Sequence, residues 1–336
     1  MSIVLEEKIF EMRLLVDRYA GKRLPSEREL AGQLEISRPA VRSILAVLES
    51  EGLIHRRHGS GTYPTRLKPD RLQTVILLVD QEIKLGNDPF FTLLVEQIQN
   101  SLQRQGIRSV LQRIGKNAPL PFLEQGVITF GLAGENILSS LGEDAPPVVG
   151  LLLEKNVHPR VRASIFQLAD ENAGEEAVQF LSEAGYQSIK FIGNPKLPGT
   201  FKRLTGVKKG AARLGLNLEI IECPQNFIAG IKLGKQLDLE SCAVMPGLIV
   251  SNDWLALGLR TGLAEKPEKV SGIPIVSFDG LSITNDPSLN IHSLAVPFET
   301  IAEDVVIELL RLGQSRSAVG RSVSYDFYWP DRPRTL

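Results

Sequence analysis

Residues 24–64 read LPSERELAGQLEISRPAVRSILAVLESEGLIHRRHGSGTYP, and the order of signals within them decides the first fold assignment. Ser26 followed three residues later by Glu29 is a capping box, which opens a helix whose apolar face begins with Leu30 and Leu34. Glu35-Ile36 makes a tight turn. Ser37 then caps a second helix, with Pro39 tolerated in its first turn. Val41, Ile44, Leu45 and Leu48 follow the i, i+3, i+4, i+7 spacing of a single buried stripe, and Arg38 and Arg42 fall on or near the opposite side. Glu51-Gly52 ends that helix. Leu53–Arg57, the glycine turn Gly59-Ser60-Gly61, and Thr62-Tyr63 read as a two-stranded wing.

A helix, tight turn and second helix with arginines at its start fits a major groove, and a basic ribbon beside it reaches a neighbouring groove or phosphate. Arginine can bond both guanine acceptors at once, while backbone amides and cations hold phosphates. A small helical domain with a solvated arginine face would explain a capping box or two arginines alone. It does not explain cap, turn, second cap, stripe, glycine stop and basic wing together. From Leu53 to Lys68 the chain also carries Arg56, Arg57, Arg66, Lys68, His55 and His58, with no acid.

The rest of the chain bounds the problem. Its 336 residues suggest about two domains, and its 43% apolar and 23% charged residues are those of an ordinary globular protein. Cys223 and Cys242 are too few for a disulfide framework, and with four scattered histidines they form no structural zinc cluster. Glu6, Glu7, Lys8, Glu11 and Arg13 interrupt the first apolar pattern, so no secretory signal is expected. No apolar run reaches the ~20 residues of a membrane span, and a cytoplasmic location is the expectation. The net charge of −1 divides into +2 over residues 1–70 and −3 over the remainder, so any attraction to a polyanion rests on clustering.

Residues 1–64 form one zone, and 65–73 read as a linker, the stretch Pro64–Gln73 being polar with two prolines. From Thr74 onward short apolar runs at 74–79, 126–131, 147–153, 189–193, 247–251 and 273–278 alternate with amphipathic stretches near 91–105, 171–184, 201–214, 254–264 and 299–312. Continuous apolar runs are the mark of strands buried on both faces. The fold class expected for residues 74–336 is therefore α/β, with two lobes of doubly wound parallel sheet.

Residues 24–64 closely resemble the winged helix-turn-helix of the GntR family of bacterial transcription regulators. The resemblance rests on Leu24-Pro25-Ser26-Glu27-Arg28-Glu29-Leu30-Ala31, Ser37-Arg38, Val41-Arg42, Leu48, Gly52-Leu53 and Gly59-Ser60-Gly61-Thr62. It implies double-stranded DNA as partner, contacted by Arg28, Ser37, Arg38, Ala40 and Arg42, with His58 and Gly59 at the wing tip. Two departures stand out. YAGKRLPSER lacks the Pro-Gly that usually precedes the motif, and Pro39-Ala40 offers no side-chain hydrogen bond, which leaves base reading to the arginines.

The second zone resembles the type I periplasmic-binding-protein-like sensor of LacI-type repressors, in the combination seen in arabinose-repressor-like regulators. Its anchors are Asn87-Asp88-Pro89-Phe90-Phe91, Asp170-Glu171-Asn172, Arg203-Leu204-Thr205-Gly206, the stretch Ser251–Gly258, and Ser277-Phe278-Asp279-Gly280. The resemblance implies a cleft lined by Phe91, Asp170, Arg203, Asn252 and Asp279, with Phe227 as a stacking residue. Carboxylates and amides bond hydroxyls, an arginine fork orients them, and aromatic faces stack on sugar C–H surfaces. Structural alternatives compete: Asp253 as a helix cap, Asp170 as the cap of the helix at 171–184, Phe90 or Phe91 as core, and Trp254 as packing. The polar pair usual in such sensors at the end of the fourth strand is replaced by Gly150-Leu151-Leu152-Leu153. The 14 residues Arg113–Gly126 shorten or remove a crossover helix.

There is no GxSxG, HExxH or Walker loop, and His158 and His292 are isolated, so neither enzyme activity, cofactor nor metal is expected. The reading that follows is a dimeric DNA-binding regulator, a repressor of a palindromic operator that responds to a small polar effector such as a sugar, with no membrane partner. The competing reading is a cytosolic small-molecule-binding or enzymatic α/β protein whose N-terminal helices only mediate assembly.

Overall fold

The computed structural model describes residues 8, 11–12, 15–16, 19, 23–50, 54–57, 61–64, 72–115, 126–131, 135, 138, 146–153, 161–315 and 317–330. The capping box forms. Ser26 N donates to Glu29 Oε2 at 2.7 Å and Glu29 N donates to Ser26 Oγ at 3.3 Å, which opens helix α1 (Glu27–Gln33). Glu35 takes a left-handed backbone at φ 53°, the tight turn its position requires. Ala40 N then donates to Ser37 Oγ at the start of α2 (Arg38–Ser50). Val41, Ile44, Leu45 and Leu48 are buried against Met12, Val16, Leu24, Leu30, Leu34 and Ile54 in a core of their own. Strands β1 (Ile54–Arg57) and β2 (Gly61–Pro64) pair antiparallel, with Arg57 opposite Gly61, and Leu24 N donates to Thr62 O to tie the wing to the approach to α1. This is a winged helix-turn-helix.

Two parallel sheets follow. The first contains β3 (Thr74–Asp80), β4 (Arg108–Ile114), β5 (Gly126–Phe130), β6 (Val148–Leu151), β7 (Ala163–Leu168) and β13 (Ser322–Tyr325), in the order β13-β7-β6-β5-β3-β4. Helices α3 (Pro89–Arg104) and α9 (Phe298–Gly313) pack together on this lobe. The second contains β8 (Ser188–Gly193), β9 (Asn217–Glu222), β10 (Gly247–Val250), β11 (Ile275–Asp279) and β12 (Ile291–Ala295), in the order β12-β11-β10-β8-β9. Its helices pair as α4 (Asp170–Glu183) with α5 (Pro198–Leu214), and α6 (Phe227–Gln236) with α7 (Asp253–Leu263), and a short α8 (Glu268–Ser271) precedes β11. Ile189, Phe191, Ile249 and Val276 join one core with α4 and α5, while Ile192, Leu248, Val250 and Ile275 join another with α7. Both faces of the strands are covered, which is why their sequences read as unbroken apolar runs.

The chain crosses between the lobes at Leu168–Asp170, Ala295–Phe298 and Tyr325–Tyr328. Ala295 and Tyr328 exchange two backbone hydrogen bonds of 2.7 and 3.0 Å, and Ala169 N donates to Tyr325 O at 2.9 Å, so the three crossings are laced to one another. The α/β, two-lobed class expected from the runs is the one present. Strands β4, β7, β9, β12 and β13 and helix α6 were not among the runs and stretches singled out from the sequence. Residues 65–71 of the expected linker and 116–125 of the shortened crossover lie outside the described residues, as does His158.

The α4–α5 pair depends on two glycines. A Cβ on Gly174 would lie 2.1 Å from Arg203 O, and one on Gly206 would lie 1.9 Å from Glu171 O, so the backbones meet with no room for a methyl group. Gly206→Ala should therefore push the helices apart at a cost of about 1–3 kcal/mol or more. The check is urea unfolding of the variant: an unchanged midpoint would show that the crossing is loose.

Candidate functional site

A cleft of about 840 Å³ opens between the lobes, and Phe91, Asp170, Arg203, Phe227, Asn252 and Asp279 all line it. It lies at the carboxyl ends of β3, β7, β10 and β11, where an open α/β sheet leaves its loops and helix starts exposed.

Arg203, on α5, is the centre of the second lobe's side of the cleft and is only 7% exposed. Its Nε donates to Asp170 Oδ1 at 2.8 Å, and its Nη1 donates to Ser251 O at 2.6 Å and to Asp279 Oδ1 at 3.5 Å. The guanidinium carbon lies 4.9 Å from the centre of the Phe278 ring and 5.2 Å from that of Phe327. Burial works against its charge, but Asp170, Asp279 and the more distant Asp253 overcome that and hold its pKa above the ordinary value. Asp170 therefore does not cap α4: the cap position is Ala169, which makes no side-chain bond, and Asp170 is Arg203's partner.

The cap of α7 expected of Asp253 belongs to its neighbour Asn252. Asn252 is the N-cap of α7, its Oδ1 accepting from Leu255 N at 2.9 Å, although it also borders the cleft. Asp253 is fully buried beneath and accepts from Ser277 Oγ, Ser293 Oγ and Leu281 N, joining β11, β12 and the loop after β11. Burial lifts its pKa to about 6 in spite of those donors. Asp279, at the end of β11 with φ 122°, has only long bonds, from Arg203 Nη1 and, at 3.4 Å, from Asp253 N. Burial pushes its pKa well above the carboxylate range, Arg203 opposes this, and Asp253 and Asp88 add to it.

Aromatic residues form the remaining walls. Phe227 and Trp254 stack at 5.1 Å, and Phe91 meets Phe90 edge-on at 5.2 Å, with Phe90 in turn against Phe298. Phe90, Phe91 and Trp254 thus pack and border the cleft at once, so core and contact were not exclusive alternatives. Sequence reasoning did not single out Gln225, whose Nε2 donates to Thr200 Oγ1 and Ser251 Oγ, nor the 70%-exposed Ile228 at the rim. Both sit in or just after a loop, where no periodicity marks them.

On the first domain Arg28, Ser37, Arg38 and Arg42 are exposed and Ala40 is half-buried. Ser37 Oγ is committed to its cap, and Arg42 Nε donates to Glu27 Oε2 at 2.7 Å. Arg56, on the wing, pairs with Glu49 at 3.1 Å. His58 and Gly59 lie outside the described residues.

Comparison with known proteins bears on both halves. Residues 5–63 match the family model for bacterial regulatory proteins of the gntR family, and residues 178–326 match a periplasmic binding protein-like domain. The chain joins a GntR-type winged helix-turn-helix to a periplasmic-binding-protein-like domain. The arabinose metabolism transcriptional repressor of Geobacillus stearothermophilus is 35% identical over 109 residues, 32% of this chain and 29% of that protein. The HTH-type transcriptional repressor NagR of Bacillus subtilis is 32% identical over 124 residues, 33% of this chain and 51% of that one. The chain thus spans between about a third and a half of these relatives. A LacI family transcriptional regulator from Enterococcus faecium, solved with bound ribose, superposes with a TM-score of 0.64 at 19% identity, covering 77% of this chain and 97% of that one. A lac repressor dimer bound to operator and the anti-inducer ONPF gives 0.62 at 17% identity, covering 81% and 96%. The relatives and structural neighbours are transcription regulators. Among the described residues no helix is long and apolar enough to cross a membrane.

The acid cluster carries a sign that can be tested. Asp253 and Asp279 have folded pKa values above their unfolded ones, so between pH ~4 and 6 the folded state holds more protons and stability falls as pH rises through that window. Asp279→Asn removes one of two repelling carboxyls. It should leave the protein at least as stable at pH 7, by on the order of 1–3 kcal/mol at most, and flatten the dependence of melting temperature on pH between 5 and 7. An unchanged slope would mean that Asp279 is ionised throughout.

Proposed function

We propose that this protein is a DNA-binding transcriptional regulator, a repressor released from or recruited to a palindromic operator by a small hydroxylated effector. Residues 1–64 act as the reader, 65–73 as linker, and 74–336 as the effector-binding and dimerising domain. The observation that carries the reading is the convergence of Phe91, Asp170, Arg203, Phe227, Asn252 and Asp279 on one cleft, in a chain whose other end exposes Arg28, Arg38 and Arg42. Acceptors, a guanidinium edge and stacked rings around one cavity suit a sugar. Arg38 and Arg42 reach guanine edges in the major groove, Arg28 and the wing, with His58 and Gly59, hold phosphates, and Ser37 and Ala40 set the helix against the backbone.

Two such readers on a symmetric dimer match a two-fold operator. The effector contacts both lobes, changes their relative position and so changes the spacing of the two readers. No step needs a cofactor or a metal. The location this implies is the cytoplasm, where the DNA is.

Arg38→Ala and Arg42→Ala each remove one base contact per half-site, worth about 1–3 kcal/mol and counted twice in a symmetric dimer. Gel-shift titration on the DNA upstream of the gene should show sequence-specific binding lost in both variants, with melting temperature retained. Undiminished specific affinity in both would overturn the reading of the reader. Binding equally tight to unrelated DNA by the unaltered chain would overturn the regulator itself.

A further inference from the structure

Arg23 stands on the exposed surface of the reader, outside the set of side chains assigned to DNA. Like Arg28 and Arg38, it makes no hydrogen bond or ion pair among the described residues, whereas Arg42 and Arg56 are paired with Glu27 and Glu49. An exposed guanidinium without a partner is by itself a solvated charge. The position of Arg23 says more.

Its backbone is tied to the wing, because the next residue, Leu24, donates its N–H to Thr62 O at 2.9 Å. Its side chain lies against Gly61, the first residue of β2, where the chain returns from residues 58–60 at the wing tip. A Cβ on Gly61 would lie 2.9 Å from Arg23 Cζ and 3.1 Å from its Cδ, and Gly61 has φ 114°. Glycine thus permits the turn of the backbone and leaves the guanidinium its place. On its other side Arg23 acts on the start of α1. The hydrogen bonds from Ser26 hold the Glu29 carboxyl below its ordinary range, and the positive charges of Arg28 and Arg23 lower it further. Glu29 Oε2 is taken up by Ser26 N at 2.7 Å and Ser26 Oγ at 2.8 Å, and neither arginine bonds to the carboxylate. Two uncommitted guanidiniums therefore flank it, Arg28 on the helix and Arg23 against the wing.

Arg28 and the wing tip are the groups assigned to phosphates, and Arg23 occupies the interval between them. A guanidinium offers its donors in a fixed planar fork that a phosphate accepts two at a time. With its stem laid on Gly61, Arg23 loses less freedom in forming such a pair than an unsupported side chain would. It sits at the root of the wing rather than at its tip, which suits the sugar-phosphate backbone better than a base edge inside the groove. We infer that Arg23 is a DNA-phosphate contact that joins Arg28 to the wing tip in one strip along the backbone, adding affinity without sequence preference. This rests on the reader binding DNA.

The experiment is fluorescence-anisotropy titration of the full-length chain and of Arg23→Gln and Arg23→Lys, on labelled duplexes of the upstream DNA and of unrelated sequence, at several salt concentrations. Each phosphate contact adds about 0.9 to the slope of log affinity against log salt, so Arg23→Gln should lower the slope by about 1.8 where two readers bind. Between 50 and 200 mM salt the unaltered chain should then lose about twelvefold more affinity than the variant. Arg23→Lys should keep the slope, and both variants should keep the melting temperature and the ratio of upstream to unrelated binding. Single methylphosphonates placed along the duplex should include one that weakens the unaltered chain and leaves Arg23→Gln unaffected. An unchanged slope, with or without lost affinity, would overturn the inference, as would a melting temperature that falls in Arg23→Gln, since either assigns Arg23 to wing packing. A fall in the binding ratio would make it a base contact and overturn the inference equally. If the unaltered chain does not prefer the upstream DNA, the regulator reading fails, while the slopes on the unrelated duplex still decide the role of Arg23.

Discussion

One buried guanidinium orders the cleft-facing side of the second lobe. Arg203 reaches from α5 to the first residue of α4, to the carbonyl at the end of β10 and to the carboxylate at the end of β11. Burying a charge is expensive unless its partners are close and hydrogen-bonded, and removing one partner from such a pair costs about 3–5 kcal/mol. Arg203 meets that requirement through Asp170 at 2.8 Å and Ser251 O at 2.6 Å, so the helix starts and strand ends that border the cleft are held in one geometry. The balance of charge is incomplete, since Asp170, Asp253 and Asp279 surround a single guanidinium. Asp253 is stabilised by three donors, while Asp279 has only long bonds and is the more readily protonated group.

How much of this the sequence disclosed depends on the type of signal. The capping box at Ser26 and Glu29, the stripe through Leu48 and the two-strand wing are local patterns, and each element is present. Most strands covered on both faces were legible as apolar runs, whereas in β7 and β12 Ser164, Gln167, His292 and Ser293 break the run. The sheet-edge strands β4 and β9 were not, because one side of each lacks a partner strand and their apolar pairs, Val110-Leu111 and Ile220-Ile221, are short and flanked by polar or charged residues. Helix α6 escaped because the four bulky apolar residues among its ten, Phe227, Ile228, Ile231 and Leu233, do not form a clean stripe, and its close approach to α7 is made by Gly230 and Gly234. For the cleft, the resemblance to LacI-type sensors pointed to the residues that gather there but not to their partners. Asn252 and Asp253 are adjacent, either can cap a helix, and only the helix start fixed by packing puts the amide at the cap and the carboxylate in the core.

The reader rests on weaker electrostatics than the cleft, and this suits the role proposed for it. Arg42 and Glu27 form an exposed pair at 2.7 Å, with the arginine side chain 64% accessible. Such a pair contributes about 0–1 kcal/mol in water, less than a bidentate contact with a guanine edge supplies. Arg42 is therefore held near one position without being withheld from DNA. Arg203, by contrast, is fixed by desolvated partners and cannot be drawn out of them by a ligand of ordinary affinity. Arg203 is thus part of a fixed surface of the cleft, whereas Arg42 is a side chain able to exchange partners.

Coupling between the two ends requires more than tight binding. A ligand shifts the equilibrium between lobe positions only by the difference in its affinity for them, so contacts to one lobe alone transmit nothing. Asp88 starts α3 in the first lobe and Asp279 ends β11 in the second, and the carboxylate of Asp88 disfavours charge on Asp279 across the cleft. With Asp279 ionised, that repulsion favours separation of the lobes, and a ligand that spans the cleft acts on both sides at once. The three crossings are tied by the Ala295–Tyr328 and Ala169–Tyr325 hydrogen bonds, so the lobes move as units about that strap rather than by loosening it. Transmission then requires a ligand that touches both walls of the cleft.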